Sequence, residues 1–186
     1  MANKDRPYGI WPLRHLSGGD CNRQNEYPIA SGYAANICTN DPVVLAASGT
    51  VELAAAGDVN LLGRFNGCSY VNAQGEQIFS KHWPTGTVAT EIKANVQDDP
   101  DIVYGIQSTT GGNPQQTNVG NRADIVATAG DVTLGVSRME LSGTMGTGTA
   151  QMTILGLVAD PSNAFGEHAD LEVIFNEHIF KQTGGI

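Results

Sequence analysis

The chain is short of positive charge, of aromatic rings and of any long apolar run. Ten Lys and Arg residues stand against 19 Asp and Glu, for a net charge of −9 and a pI near 4.7. A sequence-independent grip on nucleic acid needs cations against phosphates, and so does attachment to an anionic membrane surface, so the composition speaks against both. No segment approaches the ~20 consecutive apolar residues of a membrane span. The opening Met1-Ala2-Asn3-Lys4-Asp5-Arg6-Pro7-Tyr8 lacks the apolar centre of a signal peptide, and a protein made in the cytoplasm is expected. The three cysteines, Cys21, Cys38 and Cys68, are widely spaced with no Cys-x-x-Cys pair. That speaks against a disulfide framework or a zinc knuckle and for unpaired, buried or half-buried thiols. Charged residues make up only 16 % and aromatics 6 %, which disfavours helical bundles and coiled coils.

What is present is glycine, 23 in 186 residues, distributed as turns between short apolar runs. An all-β domain follows, a single β-barrel or β-sandwich large enough to bury its own core. The charge is unevenly placed. Residues 1–24 hold Lys4, Arg6, Arg14 and Arg23 against Asp5 and Asp20, a balance of +2, which leaves 6 basic and 17 acidic groups, −11, on residues 25–186. Pro7 and Pro12 force extended geometry on an aperiodic stretch. The organisation expected is an extended N-terminal arm, 1–24, ahead of a β-rich domain, 25–186.

Within that domain, residues 43–45, 50–53, 60–65 and 68–71 read as strands, with Asn66-Gly67 as a hairpin turn. Residues 87–96 alternate with period two, Val88, Thr90, Ile92, Ala94 and Val96 on one face, and residues 101–107 read as the antiparallel neighbour across Asp98-Asp99-Pro100. Residues 108–117 read as an exposed loop. Gly143, Gly146 and Gly148 mark a hairpin between strands at 137–141 and 150–159, and 171–175 and 178–181 close the chain before a frayed tail at 184–186.

The search for chemistry finds little. The glycines of 143–148 are followed by neither Gly-Lys-Ser/Thr nor a helix, and no serine sits in a Gly-x-Ser-x-Gly frame. His168 and His178 lie near Glu167, Asp170, Glu172 and Glu177 but flank a strand-like run rather than one helical face, and no metal site is expected there. His15 and His82 sit beside Leu16 and Trp83 and read as packing. No catalytic residue and no cofactor is assigned.

Three stretches carry a family likeness: Arg6-Pro7-Tyr8-Gly9 through Arg14-His15-Leu16-Ser17-Gly18-Gly19; Ala55-Ala56-Gly57-Asp58-Val59 through Cys68-Ser69-Tyr70-Val71 to Phe79-Ser80-Lys81-His82-Trp83-Pro84; and Leu155-Gly156-Leu157-Val158 through Asn163, Gly166 and Asn176-Glu177-His178. Together they resemble the capsid cement (decoration) proteins of tailed double-stranded DNA bacteriophages, including those of cyanophages and other aquatic phages. The similarity spans most of the chain and rests on turn and strand-entry residues. It implies a non-enzymatic β protein on the outer face of the head in the virion, made in the host cytoplasm. Its partners would be the major capsid protein and its own copies, a trimer more than a dimer.

An acidic body suits an outer surface away from packaged DNA. Aromatic and Arg side chains are the usual anchors of protein contacts. Arg6, Tyr8, Ile10, Trp11, Leu13 and Arg14 are therefore expected to touch the capsid or a neighbouring subunit. On this reading, removing residues 1–24 leaves a folded domain that no longer decorates particles, and Trp11→Ala weakens attachment more than Trp83→Ala. The alternative is a tail, baseplate or receptor-binding β module that holds a host glycan. A third reading, an acidic β hydrolase, would require a cleft with two facing carboxylates.

Overall fold

The computed structural model describes residues 3–181. Its strands are β1 (Trp11–His15), β2 (Asn25–Tyr27), β3 (Ile37–Cys38), β4 (Pro42–Leu45), β5 (Val51–Leu53), β6 (Leu61–Val71), β7 (Gln77–Ser80), β8 (His82–Trp83), β9 (Thr90–Gln97), β10 (Ile102–Gln107), β11 (Arg122–Ala123), β12 (Ile125–Val126), β13 (Glu140–Leu141), β14 (Met152–Leu157) and β15 (Asp170–Phe175). Gln116–Asn118 and Ile179–Lys181 are single 3-10 turns. One sheet runs β1-β10-β15-β14-β11 and the other β2-β9-β6-β4-β5, with β7 also on β6; β12-β13 and β3-β8 are small ribbons. Every pairing between these strands is antiparallel. The fold is all-β with the arrangement of a sandwich. Neither sheet closes on itself, so the barrel alternative falls away.

Two apolar clusters hold the layers. Tyr104, Ile106, Leu171, Val173, Met152 and Ile154 of the first sheet pack with Ile10, Ile125, Leu141 and Leu61. Leu62, the next residue along β6, belongs instead to a second cluster with Val43, Phe65, Val96 and Trp83. Successive strand residues face opposite ways, so β6 buries both faces and joins the two clusters.

Several expected turns resolve differently. The segment at Asp98-Asp99-Pro100 does not return as a hairpin: β9 pairs with β2 and β6, whereas β10 pairs with β1 and β15, so this turn carries the chain from one sheet to the other. Its first carboxylate is buried and accepts hydrogen bonds from Asn25 Nδ2 and the Tyr27 hydroxyl, which pins the crossover. Asn66-Gly67 is likewise no hairpin. It lies inside the eleven-residue β6 where the register against β9 shifts between Phe65 and Cys68, and Gly67 takes φ +109° as a bulge. The actual reversal follows at Asn72, whose carbonyl accepts from Gly75 N and whose N–H bonds Glu76 O. The alternation of 87–96 holds for Ile92, Ala94 and Val96, but the strand begins only at Thr90, with Glu91 at φ +49°, and Val88 ahead of it is 72 % exposed. β13 pairs with β12 and β14 with β15 and β11, so glycines 143–148 do not join a hairpin. The loop at 108–117 is exposed at its tip but anchored by buried Ser108, Gly112 and Pro114. Of residues 178–181, His178 makes only an isolated bridge to Leu61 and Ile179–Lys181 form a 3-10 turn rather than a strand, and the tail at 184–186 lies outside the described residues.

Candidate docking face

The N-terminal segment is extended but does not stand off the body. Trp11–His15 is the edge strand of the first sheet, paired with β10 from Trp11 opposite Gly105 to His15 opposite Ile102. Before it, Gly9 donates to Met139 O (3.2 Å) and Ile10 N to Asn40 O (2.9 Å). Two of the segment's four cations meet acids of this same chain: Arg14 is 2.8 Å from Glu172 and Arg6 3.8 Å from Asp170, both on β15. The basic segment therefore does find an acidic surface, and that surface is its own β15.

Of the six residues expected to make contacts, the structure separates one. Ile10 is 0 % exposed inside the first cluster, where the apolar side chain gains most from burial, and it offers nothing to a neighbour. Leu13 is half-buried and Arg14 exposed. Tyr8 is 50 % exposed and meets Trp11 edge to face, ring centroids 6.3 Å apart. Trp11 is half-buried because its indole lies across Gly105, where a Cβ would come within 2.3 Å of Cε2. The other tryptophan, Trp83, is fully buried in the second cluster and stacks edge to face on Tyr70 at 5.3 Å.

Arg6, Tyr8 and Trp11 form one wall of a shallow groove of about 480 Å³, closed by Val158, Asp160 and Asp170. Sequence reasoning missed this wall, since 158–170 is a loop and strand entry remote in the chain. Both carboxylates there are engaged. Asp160 accepts from Ser162 Oγ at 2.6 Å, which holds it below the usual carboxylate range. Asp170 accepts from Gln107 Nε2 at 3.2 Å, yet partial burial pushes it above that range.

The thiols are unpaired, Cys21 half-buried and Cys38 and Cys68 buried, and burial raises the latter two to about 11 and about 12, so neither is a thiolate at neutral pH. The histidines sort differently from their order in sequence. His178 is fully buried, accepts from Phe180 N at 3.2 Å, and is lowered to about 4 by burial. His168 is drawn to Asp5 and Glu140, not to its sequence neighbours, and His15 to Asp99 and Asp101. Among the described residues no helix is long and apolar enough to cross a membrane. Comparison of the chain with family models, with curated protein sequences and with solved structures yields no match.

Proposed function

We propose that this protein is a structural, non-enzymatic component of a phage virion that docks on the outer face of the assembled head, bridges major capsid subunits and stabilises the shell. The observation that carries this reading is the Arg6–Tyr8–Trp11 wall: an exposed tyrosine against a half-buried tryptophan, beside a cation, where the chain enters the sheet edge over a shallow groove. Rigid aromatic and Arg anchors make protein contacts at low entropic cost. The likeness to cement proteins supplies the partner, and the −11 on residues 25–186 keeps the exposed body away from DNA. Binding restricted to the assembled shell would stabilise it by linkage, and contacts between copies, a trimer by family habit, would add avidity. Because the N-terminal segment is built into the fold, the contact is a surface of the sandwich and not a detachable strap.

A second reading draws on the same groove. An aromatic pair flanked by Asp160 and Asp170 is also a surface on which a sugar ring can stack and hydrogen-bond, as in a tail or receptor-binding module holding a host glycan. Purified virions separate the two. A cement protein is present in numbers that match the capsid subunits, whereas a tail component is present in a few copies, and the latter result would overturn the first reading.

A further inference from the structure

We infer that Asp5, Glu140 and His168 form a site for a divalent first-row transition ion of the Zn²⁺ type, which clasps the N-terminal segment to the sandwich. One ligand atom from each residue lies within 4.8 Å of the others. His168 Nδ1 stands 3.8 Å from Asp5 Oδ1, too far for a hydrogen bond. That separation is near the one two ligands take when they share an ion through bonds of about 2.0–2.2 Å. Glu140 Oε1 and His168 Nδ1 are sealed from solvent and have no hydrogen-bond partner among the described residues. Two buried polar atoms left unanswered are costly unless a ligand meets them.

The three residues come from separate parts of the chain, and each is held in place. Gln107, 1 % exposed, brackets Asp5 by accepting from Arg6 N (2.8 Å) and donating to Lys4 O (3.0 Å). Asn3 donates to Ala164 O (2.8 Å) and Glu167 O (2.9 Å), which brings the start of the chain to the turn that carries His168. Glu140 sits on β13, with the Thr109 side chain beside its carboxylate. Outer partners of this kind orient ligands in metal sites. His168 also lines a cleft of about 290 Å³ beside Asn3, Lys4 and Asn163.

One imidazole with two carboxylates suits Zn²⁺ and its neighbours better than Ca²⁺ or Mg²⁺, which take oxygen donors. The other cluster, His15–Asp99–Asp101, is answered without an ion. Lys181 Nζ sits 2.7 Å from Asp101, and His15 Nε2 lies 3.3 Å from Asp99 Oδ2.

The test uses the full chain, stripped with a chelator and titrated calorimetrically with Zn²⁺ and in parallel with Ca²⁺, with thermal melts at each step. One saturable Zn²⁺ per chain, bound more tightly than Ca²⁺ and raising the Tm, is expected. Asp5→Asn and His168→Asn should each lower the Zn²⁺ affinity by about tenfold or more. Asparagine tolerates the φ of +56° at 168, and Asp5 is exposed, so Asp5→Asn should melt like the metal-free parent. His15→Gln should bind like the parent. Absence of a stoichiometric site, tighter Ca²⁺ binding, or parental Zn²⁺ affinity in either ligand variant would overturn the assignment.

Discussion

Gly9 is where the N-terminal segment is locked, because its φ of +72° and the closeness of Asn40 O, 2.3 Å from where a Cβ would lie, leave room for no side chain. Gly9→Ala is expected to cost at least about 2 kcal/mol in denaturant unfolding, from the strained φ and the displaced backbone together. Two buried ionisable groups act on stability with opposite signs. Asp41 is 2 % exposed, accepts from Cys38 N at 2.6 Å, has an unpartnered Oδ1, and is raised by burial from 3.8 to about 6. The folded state therefore holds the extra proton in that window, and the stability this group contributes is lost as pH rises from 3.8 to about 6. His178 is lowered from 6.5 to about 4, so the unfolded state takes the proton first and stability is lost as pH falls through that range. The two slopes oppose each other over nearly the same window. Asp41→Asn should unmask the histidine, so that stability falls by about 3 kcal/mol between neutral pH and pH 4. His178→Gln should reverse the slope. Denaturant unfolding across pH reads both, and parallel pH profiles for parent and variants would contradict the assignment.

β1 is held by backbone pairing and by Ile10 more than by its charges. The Arg6–Asp170 and Arg14–Glu172 pairs involve exposed guanidinium groups, and such pairs are worth about 0–1 kcal/mol each. A buried Ile contributes about 1.5–3 kcal/mol. Ile10→Ala is accordingly expected to destabilise by about 2–5 kcal/mol in chemical denaturation, and removal of residues 1–24 to expose the edge of β10 and lower the Tm. An unchanged Tm after that deletion would restore the detachable arm. The extended character of this segment was legible in Pro7 and Pro12. Its destination was not, because the pairing partner, β10, lies some ninety residues on and nothing local encodes it. Turn chemistry misled in the same way. Asn66-Gly67 has the residues of a type I′ turn, but β4 and β7 pair with successive halves of β6 along one edge, and that continuous ladder turns the glycine into a bulge. The alternation of 87–96 was readable as a strand, whereas the crossover at Asp98 between sheets depends on Asn25 and Tyr27, too remote to read locally.

The molecule as a whole is an acidic sandwich whose basic N-terminal segment is drawn onto β15, with Tyr8 exposed and Trp11 half-buried beside it at the sheet edge. Half of this face was legible in the sequence, since the aromatic and Arg residues sit together in residues 6–14. The opposite wall from Val158 and Asp160 was not, nor was the gathering of Asp5, Glu140 and His168, because both are products of the fold. The docking proposal rests on that open face. Tyr8 lends itself to testing it: at 50 % exposure its loss leaves both cores intact, so a change in attachment does not reflect unfolding. The most direct measurement is cosedimentation of the full-length protein and its Tyr8→Ala variant with purified, expanded tailed-phage heads that lack a decoration protein. Saturable pelleting of the parent at a stoichiometry commensurate with the capsid subunits, weakened by about tenfold or more in Tyr8→Ala, is expected of an aromatic anchor. A parent that stays in the supernatant, or a variant that pellets equally well, would contradict the docking face.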